Sequence, residues 1–224
     1  MKIGLQTIAS MLIGVAFFGV ALFLPAGTFH YWQAWVFIAV FIVTTIGPSS
    51  YLAVKDPAAL QRRMHAGPTA ETRPAQRIAI SATILSVVAL LAVSALDHRF
   101  GWSSVPLAVI VLGNVLVGVG LLAAQLVVFQ NSYASANITV EAGQELASTG
   151  LYGLVRHPMY VGVLVMMIGT PLALDSYWGL AVLIPGLLAL AARIVDEEKL
   201  LTAELAGYDE YTQKVRYRLV PGVW

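Results

Sequence analysis

Long apolar stretches alternate along this chain with short polar joints. No Asp, Glu, Lys or Arg stands between Lys2 and Lys55, from Ile78 to Leu96, or from Phe100 to Val140, and Asp175 is the one charge between Pro158 and Ala192. A helix crossing a bilayer needs about 20 apolar residues, roughly 17–25. The pattern therefore predicts an all-α, polytopic membrane protein of about six transmembrane helices. The first four run over Leu5–Leu24, stopping at Pro25-Ala26-Gly27, over Trp32–Val54, bent near Gly47-Pro48, and over Gln76–Leu96 and Val105–Phe129. The last two are short, Pro158–Leu174 and Tyr177–Ala192; only Asp175-Ser176 separates them, which predicts a tight antiparallel hairpin. Arg193–Lys214 reads as a polar, cytoplasmic C-terminal helix leaving the membrane.

Composition sharpens this picture. Of the 224 residues, 58% are hydrophobic and 11% charged, against roughly 25% charged in a soluble domain. A net charge of +1 gives no electrostatic case for a nucleic-acid partner. The absence of cysteine removes disulfides, thiolate metal sites and a catalytic thiol. The first apolar stretch is too long for a signal peptide and reads as a retained helix. No internal repeat breaks the chain, so 1–224 is taken as one membrane domain, with a four-helix part over 1–129 and a second part over 130–224.

Basic residues orient the spans. Lys55, Arg62, Arg63, Arg73 and Arg77 fall in the second joint and five more basic residues follow from Arg193 onward, while the joints on the other side hold Arg99 alone. With an even number of spans, both termini and all the clustered polar residues face the cytoplasm. The Lys55–Arg77 joint reads as a topology determinant or as a site for anionic lipid heads.

Charge at the edge of apolar segments points to a ligand. Two stretches carry it: Arg156-His157-Pro158-Met159-Tyr160 and Arg193-Ile194-Val195-Asp196-Glu197-Glu198. Proline suits the first helical turn, so a helix should begin at Pro158 with its free N–H groups and dipole available to an anion. Arg193 and Glu197 share a helix face. Taken singly, each stretch also has a plain structural reading: interfacial anchoring of Arg156, capping by His157, and an i,i+4 ion pair. No two histidines show metal-ligand spacing on one helix, and phosphate-cradling glycine loops and nucleophile elbows are missing.

The stretch Asn131–Trp224 resembles the catalytic region of the isoprenylcysteine carboxyl methyltransferase family, whose scheme phospholipid N-methyltransferases share. The matching pieces are Thr149-Gly-Leu-Tyr152, Arg156–Tyr160, Pro171–Leu174, Arg193–Glu198, Gly207–Tyr211 and Arg216–Pro221. The resemblance implies an S-adenosylmethionine-dependent methyltransferase in a multi-pass membrane setting, the bacterial inner membrane or the endoplasmic reticulum. It implies that His157, Pro158, Met159, Tyr160 and Tyr152 line the cofactor pocket, with Gln144, Glu145, Leu146 and Ala147 as a further cofactor-contacting stretch. Glu197, with Glu198 beside it, is implied to bind the cofactor, and Arg193 to face the methyl acceptor, making Arg193 and Glu197 the catalytic pair. The acceptor would be a lipophilic small molecule or prenylated carboxylate reaching the site from the bilayer, with access through 1–129. An NADPH-dependent sterol or isoprenoid reductase and a non-catalytic membrane protein are the competing readings.

Overall fold

The computed structural model describes residues 2–224, with side chains from residue 12 onward. Among the described residues eight α-helices follow one another: α1 Lys2–Ala26, α2 Trp32–Lys55, α3 Pro57–Met64, α4 Pro74–Phe100, α5 Leu107–Gln130, α6 Pro158–Ala173, α7 Trp178–Glu204 and α8 Tyr208–Lys214. A 3-10 turn, Gly150–Gly153, precedes α6. Among the described residues α2, α4, α5 and α7 are long and apolar enough to cross a membrane, and Leu12–Ala26 and α6 are shorter apolar helices. Their outward faces carry bare aliphatic side chains, such as Leu24 at 73% and Val43 at 72% exposure. Such faces suit lipid rather than water. The chain is an integral membrane protein.

Two expectations about the last helices need correction. The helix of the final span does not stop at Ala192: α7 runs unbroken to Glu204, so that span and the first half of the polar helix expected over Arg193–Lys214 are one element. No Gly or Pro interrupts the polar run after Ala192, so nothing breaks the i→i−4 ladder where hydrophobicity ends. At 1.5 Å per residue, its 27 residues reach about 40 Å, beyond a core of about 30 Å. Nor do α6 and α7 form a tight hairpin. They are joined through Asp175, which sits at φ 59°, but α6 packs chiefly on α5 and α7 chiefly on α4.

Glycine explains the first of these pairings. A Cβ placed on Gly120 would lie 2.5 Å from the Gly162 carbonyl oxygen, and one on Gly162 would lie 2.7 Å from the Gly120 oxygen. Gly169 meets Gly113 in the same way, at 2.6 Å from its oxygen. Small residues let helix backbones approach within a membrane, and here the two backbones touch. Gly120→Ala is therefore expected to destabilise the protein by about 1–3 kcal/mol through overpacking. Thermal unfolding in detergent checks this, and an unchanged midpoint would count against the close α5–α6 contact.

The end of the bundle away from the clustered motifs is tied by a polar knot. Buried Asp97 accepts hydrogen bonds from Ser103 and Ser176 Oγ, both at 2.6 Å. Asp175 accepts from Gln33 Nε2 and the Val105 amide. Tyr31 donates to the Leu174 carbonyl at 2.6 Å and stacks on His98. With this end tied and α6 and α7 leaning on different partners, space opens between them toward the other end.

Candidate active site

That space is a cavity of about 280 Å³. Its floor is the start of α6. Arg156 N donates to the Tyr217 carbonyl and His157 N to that of Arg218, so the chain after α8 straps the Arg-His-Pro turn. Pro158 then opens α6 at its first turn. One wall is α7, the other the segment between α5 and α6. Gln130, at the end of α5, accepts from Leu151 N and donates to the Thr149 carbonyl. Asn131 donates to Tyr152 Oη, and Tyr211 Oη donates to the Tyr152 carbonyl at 2.7 Å. Tyr152 is thereby held on both sides, and burial raises its phenol pKa above the usual value.

The two glutamates part company. Glu197 lines the cavity: its Oε2 accepts from Tyr160 Oη at 2.7 Å, and its Oε1 lies 3.9 Å from His157 Nδ1. Glu198 does not line it. It sits 2.8 Å from Arg156 Nε and accepts from Arg218 Nε at 2.8 Å. His157 Nε2 lies 3.1 Å from Glu198 Oε1; an ionised carboxylate only accepts, so this nitrogen carries the proton. Glu198, expected beside Glu197 at the cofactor, is here engaged in a knot joining α7, the Arg-His-Pro turn and the C-terminal strap. One residue along a helix is a turn of about 100°, which separates the two roles. It also leaves Arg156 paired with Glu198, not standing free beside the α6 N-terminus.

Arg193 lines the cavity too, and its donors are engaged. Nε donates to Tyr160 Oη at 3.2 Å, Nη1 to Gln76 Oε1 at 3.2 Å and Nη2 to the Ala136 carbonyl at 2.8 Å. Nη2 also lies 2.8 Å from Glu71 Oε1, an ionic contact without a directed hydrogen bond. Glu71 is 2% exposed, and its other oxygen accepts from the Ile138 amide. Arg73 pairs with Asp196 at 2.7 Å, and Gln76 Nε2 reaches the same carboxylate. The Lys55–Arg77 joint, read from sequence as a topology or lipid signal, is in part the scaffold that clamps α7.

Gln144, Glu145, Leu146, Ala147, Tyr152, His157, Pro158, Met159, Tyr160, Arg193 and Glu197 all line this one cavity. Arg63, Tyr133, Asn137, Ile138, Tyr208 and Tyr211 line it as well, and the sequence assigns none of them individually to a site. Tyr208 is 3% exposed, and its buried Oη has no partner among the described residues. Burial raises its pKa well above the ordinary phenol value. It stands as a neutral donor without an acceptor. The Gly207–Tyr211 motif was the available signal for it.

Fold and site together define a helical integral membrane protein with a cavity, polar at its floor and apolar along its membrane side, at one end of the bundle. Residues 108–207, the stretch from α5 into the cavity-facing part of α7 and beyond it, match the model of the phospholipid methyltransferase family. Over 94 residues, 39% of this chain, the sequence is 34% identical to the Mus musculus Delta(14)-sterol reductase. The match spans 22% of that reductase's length. A solved structure of the eukaryotic intramembrane Ras methyltransferase, isoprenylcysteine carboxyl methyltransferase, aligns over 97% of this chain and 86% of its own, at 18% identity and a TM-score of 0.38.

Proposed function

We propose that the protein transfers a methyl group from S-adenosylmethionine to a lipophilic acceptor, an isoprenylcysteine-like or other carboxylate drawn from the bilayer. The observation that carries this reading is the cavity built by Tyr152, the His157–Tyr160 turn and Glu197, inside the segment that matches the phospholipid methyltransferase family. The donor set fits the cofactor. Glu197 Oε1 has capacity to accept from an ammonium group. Tyrosine faces suit a sulfonium. Leu146, Leu201 and Leu205 offer an apolar wall for an adenine, and the orphaned Tyr208 hydroxyl lacks only an acceptor.

When bound, the cofactor supplies an activated methyl group. The chain's residues bind, orient and exclude water. Tyr160 holds Glu197 in place, and Arg193 holds Tyr160. A carboxylate acceptor is already nucleophilic, so alignment carries most of the rate. Arg193 acts in this reading as a positioning residue for Tyr160 and the 131–138 segment. The basic residues flanking the site end support a cytoplasmic orientation.

The likeness to a sterol reductase supports a second reading, NADPH-dependent reduction. A dinucleotide bearing three phosphates needs several uncommitted cations. Among the arginines lining the cavity, Arg156 and Arg193 already face Glu198 and Glu71, which favours methyl transfer. Thermal shifts of the purified protein with S-adenosylhomocysteine and with NADPH separate the two, and stabilisation by NADPH alone would sink the methyltransferase reading. Glu197→Gln is expected to weaken S-adenosylhomocysteine at least tenfold, since a hydrogen bond to a charged group contributes about 1.5–3 kcal/mol. Calorimetric titration checks this; unchanged affinity would remove the ammonium-binding role.

A further inference from the structure

Helix α3 was not anticipated from the sequence. Asp56 caps it, accepting from the Ala59 amide at 3.0 Å, and Pro57 opens it. Its two arginines diverge. Arg62 turns outward to a two-pronged pair with Glu141, at 2.7 and 2.9 Å. Arg63 turns into the cavity. There its Nη1 finds Met159 Sδ at 3.1 Å, and a thioether is a weak acceptor. Among the described residues no carboxylate pairs with Arg63, and residues 1–11 contain none. Arg62, Arg73, Arg156, Arg193 and Arg218 all have carboxylate partners. Burial lowers the Arg63 pKa, yet an arginine stays charged. A partly buried cation without a counter-charge against an apolar wall is costly, so the site calls for one.

The surroundings say what kind of molecule brings it. Met159 packs with Leu52, Leu60 and Val128, so this is the apolar side of the cavity. From there the lining runs past Ile80 and Thr83 of α4, Val163 of α6 and Leu190 of α7, all on apolar helices. Glu197 and the tyrosines serve a zwitterionic, water-soluble ligand better. We infer that Arg63 binds the oxyanion headgroup, carboxylate or phosphate, of the lipophilic acceptor, whose tail lies along α4 and α6. This deepens the methyltransferase reading and rests on it for the word acceptor alone.

The test uses the full chain in detergent and four probes: a long-chain isoprenyl thioether carboxylic acid, its neutral carboxamide, phosphatidylethanolamine bicelles and S-adenosylhomocysteine. The wild type is expected to bind the acid or the phospholipid at least tenfold more tightly than the amide. Which of the two binds identifies the oxyanion. Arg63→Gln should erase that preference, Arg63→Lys should keep part of it, and neither should change S-adenosylhomocysteine affinity. A wild type that binds acid, phospholipid and amide alike overturns the inference without any variant. A tenfold loss of S-adenosylhomocysteine affinity in Arg63→Gln overturns it too, because Arg63 would then hold the donor's carboxylate. If the wild type binds no S-adenosylhomocysteine but keeps an Arg63-dependent preference, the anion site stands and the methyltransferase reading falls.

Discussion

Arg193→Ala is expected to abolish turnover and to destabilise the protein together, by about 3–5 kcal/mol, the usual cost of stripping one partner from a buried ion pair. Glu71 is the reason. Its side chain is 1% exposed and that of Arg193 5%, so the substitution strands a carboxylate that water cannot reach. The same change releases Tyr160, Gln76 and the Ala136 carbonyl. Arg193→Lys separates the two effects. A lysine restores charge opposite Glu71 but offers three donors from one point, where the guanidinium reaches four partners through a planar fork. Arg193→Lys should therefore fold and still turn over about 100-fold more slowly, because misalignment of about 1 Å costs on that order. Thermal unfolding and turnover of both variants check the pair of claims. A wild-type midpoint in Arg193→Ala would refute the buried pair, and full turnover in Arg193→Lys would refute the positioning role.

That result depends on Glu71, which shows where sequence reading reached its limit. Helix existence was legible because bilayer thickness imposes a length on apolar runs, and the start at Pro158 carries a local signal. The Arg156–Tyr160 and Arg193–Glu198 motifs were legible as charge at apolar edges, and both come to one cavity. Glu71 was not, because an acid in a basic joint reads as solvated until the fold buries it against a residue far along the chain. The end of hydropathy at Ala192 reads as the end of a span followed by a separate polar helix, but helix propensity runs on, and one helix, α7, carries both. The α6 pairing had a signal that went unread: Gly113 and Gly120, like Gly162 and Gly169, are seven residues apart, the spacing of one helix face repeated. Asp56-Pro57 was likewise an unread cap and first turn for α3.

Glu197 and Glu198 are adjacent in sequence and expected to fail differently. Glu197→Gln leaves the framework intact and weakens the cofactor. Glu198→Ala should do the reverse at first, loosening the framework. Its carboxylate stands among Arg156, His157 and Arg218, and its side chain is 12% exposed. Removing it leaves the Arg156 and Arg218 guanidiniums facing each other without the carboxylate between them, at a cost of about 3 kcal/mol or more. The strain falls on the strap. The Arg156 and His157 amides, bonded to the Tyr217 and Arg218 carbonyls, and the packing of Leu219 and Trp224 with Leu190 and Ile194 would then carry residues 216–224 without the ionic tie. Faster proteolysis within that strap, a lower unfolding midpoint and reduced turnover are the expected outcome. S-adenosylhomocysteine should protect the strap at saturation, since a ligand that binds only the closed form stabilises it by mass action. Wild-type proteolysis in Glu198→Ala, or a Glu197→Gln variant that is cut just as fast, would show that the two carboxylates do not divide the work in this way.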